Sequence, residues 1–386
     1  MAENKDKKVL NVPNLRFSEF EGEWEEHYLS DYLDFKNGLN PKPERFGKGI
    51  KFISVMDILN NAVITNDCIR ASVDVSEEEL LSFCVENGDI LFQRSSETLE
   101  DVGRANVYMD NKPAVFGGFV IRGKKKAEYD PLCFRYLLAS PFARKKIIPM
   151  GAGAQHFNIG QEGLNKVKLH FALLDEQKKI ARLLSLLDER IATQNKIIED
   201  LQSLIKGIAQ HWIKNITSRS IYVKLGDICQ ITTGKLDANA QVDNGVYPFF
   251  TCAEHPFKID SFAFDTEALL ISGNGANLGY INYYNGKFNA YQRTYVLDLF
   301  SENIQYIKWV LKVLLPKRIA IEKSSSNTPY ILLSTLSDLM LPIPSKENQY
   351  HIAELMQSLE RKLSSQITLN GSYNILKQYL LRQMFI

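Results

Sequence analysis

The chain has 386 residues, 45% of them apolar, and its 46 basic side chains against 45 acidic ones leave a net charge of +1. That length suggests two or three domains with real cores, while the charge balance argues neither for nor against nucleic acid, so any basic surface must be local. Five scattered cysteines (Cys68, Cys84, Cys133, Cys229, Cys252), no apolar run approaching ~18 residues and no apolar segment near the start predict reduced thiols, a cytoplasmic location and no membrane partner.

In chain order, residues 1–16 read as a mobile tail, and Trp24, at the end of an acidic stretch, as its anchor on a first domain, 17–171. There, residues 51–59, 89–93 and 116–122 look like strands, and Asn37-Gly38 and Gly88-Asp89 like turns. Asp130-Pro131 opens a helix over 132–144, since proline suits a first helical turn. Residues 151–158, rich in Gly and Ala, read as a flexible loop.

A spacer helix, 172–215, follows. Ile180, Leu184, Leu187, Ile191, Gln194, Ile198, Leu201, Ile205, Ile208 and Trp212 succeed one another at steps of four and three, the seam of a coiled coil. From Ser220 the plan restarts in a second domain, 216–345. Leu225, Asp227 and Gly234 repeat Leu29, Asp31 and Gly38 at an offset of 196, and Ile331, Leu336 and Leu341 repeat Ile159, Leu164 and Leu169 at 172. Between them 245–251, 268–272, 280–284 and 295–299 read as strands, 304–315 as a helix stopped by Pro316, and 324–328 as a loop. A C-terminal spacer helix, 346–386, repeats the seam at 172: Ile352, Met356, Leu359, Leu363, Gln366, Asn370, Tyr373, Lys377, Leu380 and Met384, with a kink expected at Asn370-Gly371-Ser372.

An exposed apolar stripe is costly, so each seam needs a cover, and the other copy is the simplest one. The predicted fold class is α+β: two mixed α/β globules separated by a long antiparallel two-helix coiled coil, duplicated about a pseudo-two-fold axis. Two related tips held apart suit the reading of two short DNA sequences with untouched bases between.

No catalytic constellation stands out. Asn327-Thr328-Pro329-Tyr330 is close to an adenine-holding methyltransferase box, but its counterpart Gln155-His156-Phe157-Asn158 keeps nothing of it. Gly273-x-Gly275-x-x-x-Gly279 runs into strand-like sequence rather than a helix, which suits a hairpin loop better than a phosphate cradle. Cys252-x-x-His255 lacks a second pair of ligands, so no metal is expected. Phosphate contacts are expected from Lys42, Arg45, Lys48, Arg94, Arg104, Arg144, Lys145 and Lys146 in the first domain, and from Lys235, Arg293, Lys317, Arg318 and Lys323 in the second. Base reading is expected from Gln93, Arg94, Ser95 and Ser96, and from Asn274, Asn277, Gln292 and Arg293, with Tyr291 and Tyr330 stacking or packing beside the backbone.

The opening Val12-Pro13-Asn14-Leu15-Arg16-Phe17, the Leu-x-Asp starts at Leu29 and Leu225, the run from Gly245 to Phe250 and the duplicated Asp175-Glu176-Gln177 with Ile180 resemble the specificity subunit, HsdS, of type I restriction-modification systems. The resemblance covers essentially the whole chain. It implies two target recognition domains reading a bipartite site in double-stranded DNA. It implies two HsdM methyltransferase subunits using S-adenosylmethionine and two HsdR subunits using ATP and Mg. No cofactor or catalysis is implied in this chain. The alternatives are the specificity polypeptide of a combined restriction-methylation enzyme outside type I, a coiled-coil scaffold that binds proteins, or more distantly a small enzyme with a dimerisation helix.

Overall fold

The computed structural model describes residues 10–216, 220–325 and 330–386. Two compact units divide the chain: one takes residues 1–195 with 369–386, the other 196–368. Each unit therefore contains one globule and part of both long helices, Leu174–Ile216 and Lys346–Gln383.

In the first unit, Glu25–Tyr28 pairs antiparallel with Lys168–Phe171 and closes the globule at the base of the long helix. Above it lies a four-stranded antiparallel sheet in the order Leu33–Asn37, Val120–Lys125, Ile90–Gln93, Ala105–Val107. Ile90, Leu91, Phe92 and Gln93 are all buried, so this strand reads as a continuous run because both its faces are covered. Phe46–Ile53, Ser72–Val73 and Ala114–Phe116 form a second, three-stranded sheet around Phe52, Val73 and Val115.

In the second unit, Ile221–Lys224 pairs with Met340–Ile343 in the same way. Its six-stranded sheet runs Gln230–Thr233, Thr294–Asp298, Phe264–Ser272, Ile281–Ala290, Tyr247–Phe250, Phe257–Ile259. The duplication extends to single hydrogen bonds. Leu29 N donates to Val167 O at 2.9 Å, and Leu225 N to Leu339 O at 2.9 Å. Gly38 and Gly234 occupy matching close approaches, where a Cβ would lie 2.1 Å from Gly117 O and 1.9 Å from Ala290 O.

The predicted seam holds along both helices: all its positions are buried or half-buried, while their neighbours at Arg182, Glu189, Lys196 and Lys362 are exposed. Within the first unit the two helices run antiparallel, since Arg190 meets Tyr373, Asp188 meets Lys377 and Leu184 shares a core with Leu380 and Met384. In the second unit Ile205 and Ala209 pack with Met356, and Trp212 with Ile352 joins the same cluster.

Several boundaries differ from expectation, each for a local reason. Residues 10–16 are held rather than mobile: Leu15 N donates to Gln383 O at 2.9 Å, and Arg16 grips the fully buried Glu176 at 2.8 Å. Trp24 does anchor this stretch, its indole N–H on Glu176 and its ring edge-on to Phe385. The helix expected over 132–144 is two, Pro131–Ala139 and Pro141–Ile147, because Pro141 starts a new turn capped by Ser140. The strand expected over 51–59 ends at Ile53 and gives way to the helix Val55–Asn60, and the one over 116–122 is interrupted by a turn at Gly117–Phe119. Residues 151–158 are not wholly loop, since Phe157–Asn158 pairs with Ser95–Ser96. Pro316 does not stop its helix, which spans Ile304–Ser325. Ile307, Leu311, Leu315 and Ile319 form one core-facing stripe across it, and that burial outweighs the one N–H bond proline lacks. Nor does Asn370-Gly371-Ser372 break the second long helix. Asn370 donates to Asn195 Oδ1 at 2.8 Å, and Asn374 donates back to Asn370 O, so the packed pair carries the glycine. The loop expected over 324–328 falls at 326–328 outside the described residues, as do Asn327–Pro329 and the side chain of Lys323.

Candidate nucleic-acid interface

One end of each main sheet carries the expected base readers. In the first globule the strand Ile90–Gln93 runs out into Arg94, whose N–H donates to Phe119 O at 2.9 Å and whose carbonyl accepts from Ile159 N at 2.9 Å. Arg94 also donates through Nη1 to Gly118 O at 3.1 Å. Ser95 binds the Asn158 side chain across the short strand pair. Arg94, Ser95, Asn158 and the turn 117–119 thus form one rim.

The second globule builds the same frame. Gly273 N donates to Arg293 O at 2.8 Å, and Ile331 N to Gly273 O at 2.8 Å. Gly273 therefore stands where Arg94 stands, and Arg293 where Phe119 stands. Asn274 bridges to Tyr330, Tyr291 bridges to Leu236, and Asn277 donates to Cys252 O at 3.0 Å. All six polar or aromatic candidates here, Asn274, Asn277, Tyr291, Gln292, Arg293 and Tyr330, are brought to one rim. Gln292 and Arg293 are exposed on it. The predicted hairpin is present, with Gly275 and Gly279 at φ of 79° and 82°.

Other candidates are placed differently. Gln93 and Ser96 are buried; Gln93 donates to Ser95 O, and its Oε1 has no partner. They support the rim rather than face outward. Arg45 is bound by Glu79 and by Asp74 O at 2.8 Å, and the guanidinium holds the Glu79 carboxyl down to about 2. Lys48 pairs with Asp74 at 3.0 Å, Arg104 with Asp101, and Arg318 with Glu322 at 2.8 Å. Arg144 points inward: Nη2 donates to Glu100 O at 2.9 Å and Val102 O at 2.6 Å, Nη1 is buried without a partner, and burial pushes the guanidinium down to about 10. Lys42, Lys145, Lys146, Lys235 and Lys317 are exposed.

Sequence reasoning overlooked Phe119 and Asn158. The Gly117-Gly118 pair was the available signal, since it marks a turn whose next residue is thrust outward. Among the described residues no cluster of His, Cys, Asp or Glu could hold a metal, Cys252 and His255 included. No helix among them is long and apolar enough to cross a membrane.

Residues 21–203 and 220–370 match the type I restriction modification DNA specificity domain, once for each globule. The chain belongs to that family. It is 43% identical over 143 residues to the type I restriction enzyme EcoDI specificity subunit of Escherichia coli, a match covering 37% of this chain and 32% of that one. It is 28% identical over 206 residues to the putative MjaX specificity subunit of Methanocaldococcus jannaschii, covering 52% and 48%. These matches span about a third to a half of the relatives' own lengths. In fold it is similar to the S subunit of a type I restriction-modification system from M. genitalium, with a TM-score of 0.65 at 19% identity, over 97% of this chain and 99% of that one.

Proposed function

We propose that this chain reads an asymmetric bipartite site in double-stranded DNA, one half with each globule. It would direct adenine-N6 methylation and restriction carried out in the cytoplasm by HsdM and HsdR partners. The observation that carries this reading is the rim built twice on one backbone frame with unlike residues at matched positions, exposed Phe119 with half-buried Arg94 in one copy and exposed Arg293 with buried Gly273 in the other. One frame with different donors is what two different half-sites require.

The chain itself performs no chemistry in this reading. S-adenosylmethionine, ATP and Mg belong to the partners, two copies of each. Lys42 lies three residues beyond Leu39 and Lys235 directly before Leu236, and these two leucines bridge to Gly117 and Tyr291. They would hold phosphates while the rim reads bases.

Long-read methylation mapping of cells with and without the gene tests this. Loss of adenine methylation at one interrupted motif is expected. An unchanged methylome in cells that express the intact complex sinks the proposal.

A further inference from the structure

The first globule's rim is apolar where its twin is cationic. The turn 117–119 throws out Phe119, 67% exposed, beside Met56 at 60% and Phe46 at 41%. Together with Phe52 they line an open groove of about 470 Å³, edged by Asn40 and Ser95. None of its lining residues is acidic. Lys42 follows directly on the groove's Pro41, is exposed, and has no ion pair among the described residues. Arg94 is clipped to the carbonyl behind Phe119. Exposed rings of this size on a head with cationic flanks need an occupant that is anionic outside and apolar at its edge.

A duplex offers one such edge in the major groove, the 5-methyl group of thymine, which aromatic side chains contact. We infer that Phe119 is a specificity-determining residue of the first globule and contacts a thymine methyl in its half-site. The inference rests on the proposed DNA-reading role. The twin position sharpens it: Arg293, held by the same backbone bond, presents the group suited to guanine. The two heads differ in base preference because one turn carries a ring and the other a guanidinium. Phe119 supports no core, so replacing it leaves the globule's packing intact.

The test starts from the motif found by methylation mapping and uses the native complex purified from cells. Duplexes carry deoxyuridine in place of each thymine in turn, which removes the methyl and nothing else. One substitution, in one half-site only, is expected to weaken binding by the parent complex about threefold to fivefold, the scale of one buried methyl. Phe119→Ala is expected to bind thymine and uracil duplexes alike at that position, Phe119→Leu to retain part of the difference, and both to keep full discrimination in the other half-site. Three results overturn the inference while leaving DNA reading intact: a motif half without an A·T pair where Phe119 acts, parent binding indifferent to every methyl, or Phe119→Ala with undiminished methyl sensitivity. A methylome independent of the gene instead removes the reading on which it rests.

Discussion

At the scale of single residues, the cations divide by what already holds them. Lys145 and Lys146 are exposed on the short helix Pro141–Ile147, whereas Arg144 beside them is spent on the carbonyls of Glu100 and Val102. The double change Lys145→Ala, Lys146→Ala is therefore expected to weaken binding to all sequences and lower the salt slope by about 1 for each phosphate no longer neutralised, read from affinities at several salt concentrations. Arg144→Ala is expected to leave that slope alone and cost about 1–3 kcal/mol of stability through the stranded carbonyls, measured by urea unfolding. Arg293→Ala is expected to relax one base position in the second half-site by about 1–3 kcal/mol, measured on base-substituted duplexes. Glu79 supplies a pH dependence. Its folded carboxyl is depressed to about 2 beside Arg45, so its contribution is present above the unfolded value of about 4.3 and is lost as pH falls towards 2. Glu79→Gln is expected to flatten that acid limb in melting curves taken from pH 5 to 2.

At the scale of elements, the duplicated glutamine links each globule to its helix. Gln177 accepts from Asp130 N at 3.0 Å and donates to Ala172 O at 2.8 Å. Gln349 accepts from Asn303 N at 3.0 Å and donates to Pro344 O at 3.0 Å. In each unit an acid eleven residues on adds a second tie: Asp188 accepts from Tyr136 at 2.8 Å, and Glu360 accepts from Lys308 at 2.7 Å. Gln177 and Gln349 are almost fully buried, so either one changed to Leu strands a backbone N–H and a carbonyl, at about 1–3 kcal/mol each. Denaturant unfolding is expected to show the loss in one unit only. The helices were legible because a 3-4 alternation sustained over ten positions places those positions on one helical stripe, which no strand or loop does. Gln177 and Gln349 were visible as a repeat. The clamp was not, because its partners Asp130 and Asn303 lie far off in sequence. Pro316 and Gly371 misled for a related reason: propensity is local, and Leu315 and the Asn195–Asn370 bond are not. The rim was half legible. Polar loop residues were identifiable by type, but Phe119 reads as core until its exposure is known.

At the scale of the molecule, exchange of residues 17–160 with those of a related subunit is expected to alter one half of the methylated motif. A change in both halves counts against separate reading by the two globules. Four residues inserted near Gln194 and again near Gln366 rotate the seam away from its partner, and are expected to change the motif's spacer or prevent assembly, scored by methylation mapping.

Residues 369–386 belong to the first unit. Leu380, Leu381, Met384 and Phe385 are buried in the same core as Trp24, Leu29 and Ile180. A ribosome delivers those side chains long after the sheet they cover has emerged. The second unit, whose residues 196–368 are contiguous, can close while the first still waits for residues 369–386. Maturation would then run opposite to the usual N-terminal-first order. Stalled-chain proteolysis should find residues 220–325 protected before residues 25–171, and a premature stop after Thr368 should damage the globule farthest from it in sequence.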